Sequence, residues 1–510
     1  MSRTEPSLTA KGSGTGVMLQ DGKIFVGKSA KGQYLDLGFA NRHGLITGAT
    51  GTGKTVTLQV LAEGFSKAGV PVFAADIKGD LSGIARPGEP KDFINKRLQD
   101  VGLPPFDPSG YPAVFWDVFG EQGHPVRATV ADMGPLLLSR LLELNEVQEG
   151  VLNIMFRVAE DEGMPMLDLA DLRSMAMAVS ERSKELSKKY GNIAASSVGA
   201  IQRRLLVLED QGADCFFGEP AVNVSDFIKT TYDNRGFVNL LAADKLFQNP
   251  RLYATFLLWL LSKLWEELPE VGDQPKPKLV FFFDEAHLLF DEAPKALVER
   301  IEQVARLIRS KGVGIYFITQ NPLDVPDTVS SQLGNRVQHA LRAYTPKEQR
   351  AVRAAAETFR PHPDLDTERT ILELGVGEAL VSFLEKQGEP SIVQRTLIRP
   401  PNGRIGPVSA SERQELMARS PVAGKYDHSV DRESAHEMLA ERAARIAEQR
   451  AAAETAAEKS KNSWVNLIFG RGPRGGRSLG EKIARDVGQR VKRRIMTHIA
   501  RSVFKSIGLR

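Results

Sequence analysis

Apolar and polar positions change rhythm along the chain, and each change marks a boundary. Residues 23–27 and 33–37 are short apolar runs separated by glycines, which predicts a small antiparallel element within residues 1–40. Residues 43–76 read as an apolar run, a glycine-rich turn, an amphipathic stretch and a second apolar run at 70–76. That order predicts a βαβ unit, the start of a parallel sheet. From 126 to 235, Leu, Met, Ala and charged residues recur at helical spacing with few β-branched runs, so a helical insertion is expected. Within it, Leu136, Leu137, Leu138, Leu141, Leu142, Val151, Leu152, Met155 and Phe156 read as packing rather than as a ligand site. Strand-like runs resume at 236–241, 279–283 and 314–319 with helical stretches between them. Residues 379–383 and 391–398 form a hairpin pattern, and Pro400-Pro401-Asn402-Gly403 is expected to close the compact part.

The expected organisation is therefore an N-terminal β element (1–40), an α/β core in two parts (41–125 and 236–400) interrupted by the helical insertion (126–235), a linker with a solvated helix (401–470) and a tail (471–510). Residues 431–460 are rich in Ala, Glu and Arg with few large apolar residues, the pattern of a solvated helix. The run 470–477 is a glycine- and arginine-rich basic linker.

Charge changes this picture at one place. The net charge of +4 conceals a tail, 471–510, with twelve Lys or Arg against two acids, so the first 470 residues are net acidic. Such a tail meets a polyanion, either nucleic acid or an anionic membrane surface, or is a solvated charged face. Its apolar residues, Leu479, Ile483, Val487, Val491, Ile495, Ile499, Val503 and Ile507, recur at every fourth position. On a straight helix that stripe would wind by roughly 280°, which favours a helix broken near Gly488 or one wrapped on another subunit. Composition otherwise excludes classes: 42% hydrophobic and 25% charged residues are those of a globular protein. The one cysteine, Cys215, excludes an intramolecular disulfide framework and suits a reducing compartment. The apolar run at 254–261 stops at Lys263, short of the ~18 residues a membrane span requires. The polar start lacks a signal-peptide core, and a cytoplasmic location is the expectation.

The chemistry centres on Gly48-Ala49-Thr50-Gly51-Thr52-Gly53-Lys54-Thr55, a complete P-loop pattern after a strand and before a helix. Glycines let backbone N–H groups curl around phosphate oxygens, Lys54 reaches the β- and γ-phosphates, and the Thr55 hydroxyl suits Mg2+. The apolar strand 279–283 ends in Asp284-Glu285, where Asp284 is expected beside the metal and Glu285 beside an attacking water. Gln320, after the strand 314–319, is either a sensor of the γ-phosphate or an amide capping its turn. Arg309 reads as a helix-end cation, and His287 as structural. A single P-loop and a single acidic strand end leave the chain without a second motor domain, so an arginine finger would have to come from a neighbour in a ring.

The run 41–55 together with Asp76-Ile77-Lys78-Gly79-Asp80-Leu81-Ser82-Gly83 resembles the bacterial HerA-like ATPases of the YjgR type, within the HerA/FtsK class of RecA-like ring ATPases. The resemblance covers about 17–400 and much of the remainder. It implies a RecA-like P-loop fold with a mainly parallel sheet, ATP and Mg2+ as ligands, and a homohexameric ring. It also implies Lys54 and Thr55 as phosphate and metal binders, Asp284 and Glu285 as the acidic pair, Gln320 as the sensor and Arg309 as the finger, with Arg336 and Arg342 in reserve. Only about 40 residues precede the P-loop, too few for the N-terminal barrel of archaeal HerA, and nothing resembles the membrane segment of FtsK. The expected function is ATP-driven translocation on DNA. A protein-moving coupling ATPase and a nucleotide-switched scaffold are its alternatives.

Overall fold

The computed structural model describes residues 18–272, 274–290 and 295–469. The tail at 471–510, with its fourfold apolar stripe, and the first 17 residues lie outside the described residues.

Thirteen strands among the described residues join in one sheet. They are β1 (Leu19–Gln20), β2 (Lys23–Lys28), β3 (Gly32–Asp36), β4 (Gly44–Thr47), β5 (Val72–Asp76), β6 (Ala113–Asp117), β7 (His124–Pro125), β8 (Val238–Ala242), β9 (Leu279–Phe283), β10 (Val313–Thr319), β11 (Asn335–Gln338), β12 (Glu378–Ser382) and β13 (Gln394–Ile398). The order is β1-β2-β13-β12-β11-β4-β10-β9-β5-β8-β6-β7, with β3 on β2. From β11 to β7 every pairing is parallel. From β11 back to β1 every pairing is antiparallel. The fold is thus α/β with a mainly parallel sheet. The small N-terminal element is not separate, because β2 pairs with β13 and extends the sheet.

The buried strands alternate between two cores. Leu279, Phe281 and Phe283 of β9, with Val313, Ile315 and Phe317 of β10, enter one hydrophobic cluster. Val280 and Phe282, with Tyr316 and Ile318, enter the other. A period of two with both faces apolar is what a strand covered on both sides requires. On the second face lies α1 (Lys54–Lys67), whose Leu58, Leu61 and Phe65 pack on Phe282 and Tyr316. The ring of Phe282 is fully buried, and its truncation to Ala would cost about 3–5 kcal/mol.

The first face is covered by the helical insertion. After α2 (Asp92–Val101) come α3 (Val130–Leu141), α4 (Glu146–Asp161), α5 (Leu169–Glu181), α6 (Ser183–Tyr190) and α7 (Ala195–Asp210). Their Leu137, Leu138, Leu141, Leu152, Met155, Leu172 and Leu205 share one core with the strands and with α8 (Pro250–Glu267). The insertion is therefore a structural layer of the core, and Leu136 alone of its leucine run faces outward, 49% exposed. No described helix is long and apolar enough to cross a membrane. The remaining helices are α9 (His287–Phe290), α10 (Lys295–Leu307), α11 (Asp327–Ser330), α12 (Pro346–Glu357), α13 (Thr367–Glu373), α14 (Ala410–Ala418) and α15 (Ala435–Phe469).

One expectation is corrected here. The chain after Pro400 is not a linker as far as Ala435: Val422, Tyr426 and Ala435 are buried in the first core, and the Tyr426 hydroxyl bonds the Asp226 carboxylate. Arg413 of α14 lies over the Phe115 ring at 4.6 Å. The compact unit runs to Ala440, and a second unit begins at Glu441. From Glu441 to Ala457 every residue of α15 is exposed, and Ile446 is the one large apolar side chain in that stretch.

Candidate functional site

Parallel strands deliver their following loops to one edge of the sheet, and the sequence places chemistry at four of them. β4 leads into the P-loop, β5 ends at Asp76 and is followed by Lys78, β9 is followed by Asp284 and Glu285, and β10 by Gln320. Because β4, β10, β9 and β5 are consecutive neighbours in the sheet, these groups meet although they are as much as 270 residues apart in sequence.

The P-loop turns sharply from β4 into α1. Gly48 has a φ of 152°, and a Cβ there would stand 2.5 Å from that of His339. Lys54, the first residue of α1, donates to the carbonyls of Gly48 at 2.6 Å and Ala49 at 3.1 Å, closing the loop on itself. Burial lowers the Lys54 pKa from its ordinary value, against the attraction of Glu285 and Asp284. Thr55 sits beside it, half-buried.

Glu285 is the hub. Its Oε1 accepts from Lys78 Nζ at 3.0 Å, and both carboxylate oxygens accept from Gln320 Nε2, at 3.3 and 3.2 Å. The Gln320 Oε1 accepts in turn from the Thr50 hydroxyl at 3.0 Å, so one chain of polar contacts joins P-loop, amide, carboxylate and lysine. His287 Nδ1 lies 3.5 Å from Glu285 Oε2. The Glu285 backbone is left-handed, with φ 47°, a conformation that costs roughly 1–3 kcal/mol for a non-glycine residue and clusters at functional sites. It is held by Ala286 N–H donating to the Ile318 carbonyl at 2.8 Å. Burial raises the proton affinity of the Glu285 carboxyl, but the Lys78 bond and charge and the Gln320 amide outweigh it and hold the pKa below the usual carboxylate value.

The neighbouring carboxyls behave in the opposite way. Desolvation and the Glu285 charge push Asp284 up to about 6, and burial with the Asp284 charge pushes Asp76 up to about 7. Asp284 accepts from the Glu285 N–H at 3.0 Å and Asp76 from the Leu81 N–H at 3.1 Å. Crowded carboxyls that hold protons so strongly are short of positive charge. These carboxyls and the Thr55 hydroxyl at the start of α1 are oxygen donors of the kind a hard divalent cation takes. The residues present therefore fit Mg2+.

The three arginines are dispersed. Arg309 follows α10 at the start of β10, on the sheet edge opposite the P-loop, where its charge reaches His43. The four residues of β4 alone, about 13 Å of strand, separate those edges. Arg336 in β11 donates to the Ser330 carbonyl at 2.8 Å. Arg342 is exposed and lines a cavity with Thr50, Gln320 and Tyr344, next to the chain's own P-loop. Sequence reasoning missed the roles of Lys78 and Asp76 as site members and gave His287 none. The adjacency of Lys78 to Glu285 spans 207 residues, and no local spacing announces it.

A comparison with protein families matches the helicase HerA-like C-terminal family over residues 22–510. A search of curated proteins finds no match. Among solved structures, the chain is similar to the bacterial conjugative coupling protein TrwBdeltaN70 in its unbound monoclinic form, at 13% identity over 73% of this chain and 90% of that one, with a TM-score of 0.48. VirB4 of Thermoanaerobacter pseudethanolicus is similar at 14% identity over 78% and 100%, with a TM-score of 0.48. The plasmid coupling protein TrwB in complex with the non-hydrolysable GTP analogue GDPNP is similar at 14% identity over 72% and 87%, again with a TM-score of 0.48. With a P-loop and an acidic strand end meeting at one sheet edge and a family match over nearly its whole length, the chain belongs to the HerA-like P-loop ATPases.

Proposed function

We propose that the chain is a cytoplasmic motor of the YjgR type that hydrolyses ATP with Mg2+, assembles as a homohexameric ring and translocates on DNA. The observation that carries the hydrolytic part is the Glu285 carboxylate, kept ionised by Lys78 and Gln320 at the strand end beside the P-loop. On this reading Gly48, Ala49, Thr50, Gly51, Thr52 and Gly53 wrap the phosphates. Lys54 leaves the Gly48 and Ala49 carbonyls for the β- and γ-phosphate oxygens, and Thr55 and Asp284 hold the metal. Mg2+, when bound, supplies charge neutralisation across the β- and γ-phosphates. Glu285 accepts the proton of the attacking water, and Gln320, already bridging Thr50 and Glu285, orients that water.

The ring and the DNA substrate rest on family membership, on the single P-loop and on the basic tail. Arg309 lies at the far sheet edge from its own P-loop, which suits a finger lent to a neighbouring subunit. The tail contributes contacts to DNA outside the motor, as an alternative to an anionic membrane surface. The experiment is the ATPase rate with no addition, with duplex DNA, with single-stranded DNA and with an unfolded protein, at two salt concentrations. DNA stimulation that weakens at high salt supports the proposal. Stimulation by unfolded protein alone would make the chain a protein-moving ATPase, and slow hydrolysis indifferent to all of them a nucleotide-switched scaffold.

A further inference from the structure

Lys78 bonds Glu285 from a side chain that is itself 48% exposed, so its aim depends on the turn that carries it rather than on packing. That turn follows β5. Within it the Asp76 carboxylate accepts from the Leu81 N–H at 3.1 Å, and the Ser82 hydroxyl donates to the Gly79 carbonyl at 2.8 Å. Gly79, with a φ of 74°, takes the left-handed position that lets the chain reverse directly after Lys78.

A second segment clamps the turn from outside, and it comes from the C-terminal part of the compact unit. The Ser82 hydroxyl accepts from the Val408 N–H at 3.0 Å. A Cβ on Gly83 would collide with the Gly406 carbonyl and stand 2.5 Å from that of Arg404, so backbone lies directly on backbone. The Arg404 N–H donates to the Arg86 carbonyl at 2.9 Å, while the Arg86 side chain pairs with Glu412 at 3.6 Å and with Glu415, both on α14. Arg404 also bonds both Glu412 oxygens, at 2.8 and 2.9 Å. The Lys78 turn and residues 404–415 are thereby interlocked.

Arg413 is where this clamp meets the site. A cavity of about 70 Å3 lies among Arg413, Asp76, Lys78, Gly79, Gln122 and Asp244. The guanidinium lies on the Phe115 ring and donates to the Gln122 carbonyl at 3.2 Å. Among the described residues that is its one hydrogen bond, so most of its five donors are unspent. Packing on Phe115 alone would be met by an apolar side chain of the same length. A cation is used instead, and its charge faces the carboxyl groups of Asp76, Asp117 and Asp244. Asp76 is the one that closes the Lys78 turn.

We propose that Arg413 is a positioning residue for hydrolysis: its charge, backed by the α14 clamp, holds the Asp76–Leu81 turn so that Lys78 stays aimed at Glu285. The inference rests on the reading of Glu285 as the group that acts on the attacking water. It gives the C-terminal part of the compact unit a share in the reaction, through Lys78 and without contact to the nucleotide.

The test is steady-state ATP hydrolysis by the full chain and its Arg413→Met, Arg413→Lys and Lys78→Met variants, with the double variant Arg413→Met/Lys78→Met and thermal midpoints for each. Arg413→Met keeps a side chain on Phe115, so its midpoint should stay near wild type while kcat falls about tenfold and KM changes less than twofold. Arg413→Lys, which restores the charge, should recover kcat to within threefold of wild type. The double variant should be no slower than Lys78→Met alone, because a residue that acts through Lys78 has nothing left to act on. Losses that multiply in the double variant would overturn the route through Lys78, and a lowered midpoint with unchanged kcat per folded chain would make Arg413 a packing residue only. Neither result touches the hydrolytic reading, which fails instead if Glu285→Gln turns over like wild type.

Discussion

The two flanks of the P-loop are made of different materials. Toward β10, β9 and β5, charged and amide groups converge on Glu285 through Lys78, Gln320 and Thr50, at the end of strands whose sides are wholly apolar. Toward β12 and β13 the surface is Phe93, Val56 and prolines, and Arg97 holds the walls through backbone carbonyls. The second flank is braced from below: the buried Glu63 of α1 accepts from Arg399 at 3.0 Å and from the N–H groups of Asn402 and Gly403 at 2.9 and 2.8 Å. On the proposed reading, one side moves a proton and the other holds a ligand still. A loop between a preorganised electrostatic surface and a rigid apolar one can bind through one side and react at the other.

The largest expected effect lies under the holding flank. Arg399→Leu leaves the Glu63 charge buried with its ion-pair partner gone, at a cost of about 3–5 kcal/mol in denaturant unfolding. A loss below 1 kcal/mol would mean that the brace is not what fixes this flank. A smaller effect is expected on the reacting flank. Lys78→Met removes the bond that aims Glu285 while sparing the P-loop, so kcat should fall about tenfold with KM nearly unchanged. A rise in KM with unaltered kcat would assign Lys78 to ground-state binding instead.

A pH-dependent effect serves as a control at the far sheet edge, remote from both flanks. His43 Nε2 bonds the Ala305 carbonyl at 2.7 Å and its Nδ1 accepts from the Ile315 N–H at 2.9 Å, which leaves no place for a second ring proton. Burial pulls its pKa down to about 4 from 6.5. Between those values the unfolded chain takes up the proton and the folded one does not, so stability is lost as pH falls, by about 1.4 kcal/mol per unit at most. The stability difference between wild type and His43→Asn should therefore shrink by that slope from pH 6.5 to 4, as read from urea midpoints. A difference independent of pH would show that His43 takes up a proton in the fold as readily as in the unfolded chain.

How much of this was legible in the sequence depended on whether a feature is local. The P-loop, the Asp284-Glu285 strand end and the β12–β13 hairpin are contiguous, and their residue types are dictated by phosphate geometry or by a period of two. β11, Asn-Arg-Val-Gln, hides a buried strand behind polar residues that are satisfied internally, with Asn335 donating to the Phe39 and His43 carbonyls and Gln338 bonded to Thr47. Val422 and Tyr426 are single apolar residues in a polar stretch, with no period to mark their burial. Lys78, Arg413 and the apolar surface at Phe93 become meaningful only when the sheet order brings distant loops together. Family resemblance supplied the fold around them, and geometry supplied their neighbours.

The central claim is that the reacting flank does chemistry on a nucleotide that the rest of the P-loop holds. The most direct measurement compares Mg-ATP binding and turnover in Glu285→Gln, which keeps the shape and hydrogen bonding of the side chain and removes its charge. The account predicts nucleotide affinity within about threefold of wild type and turnover lowered by about 10²–10⁴, with Lys54→Ala failing at the binding step. Turnover in Glu285→Gln within a few-fold of wild type would contradict it.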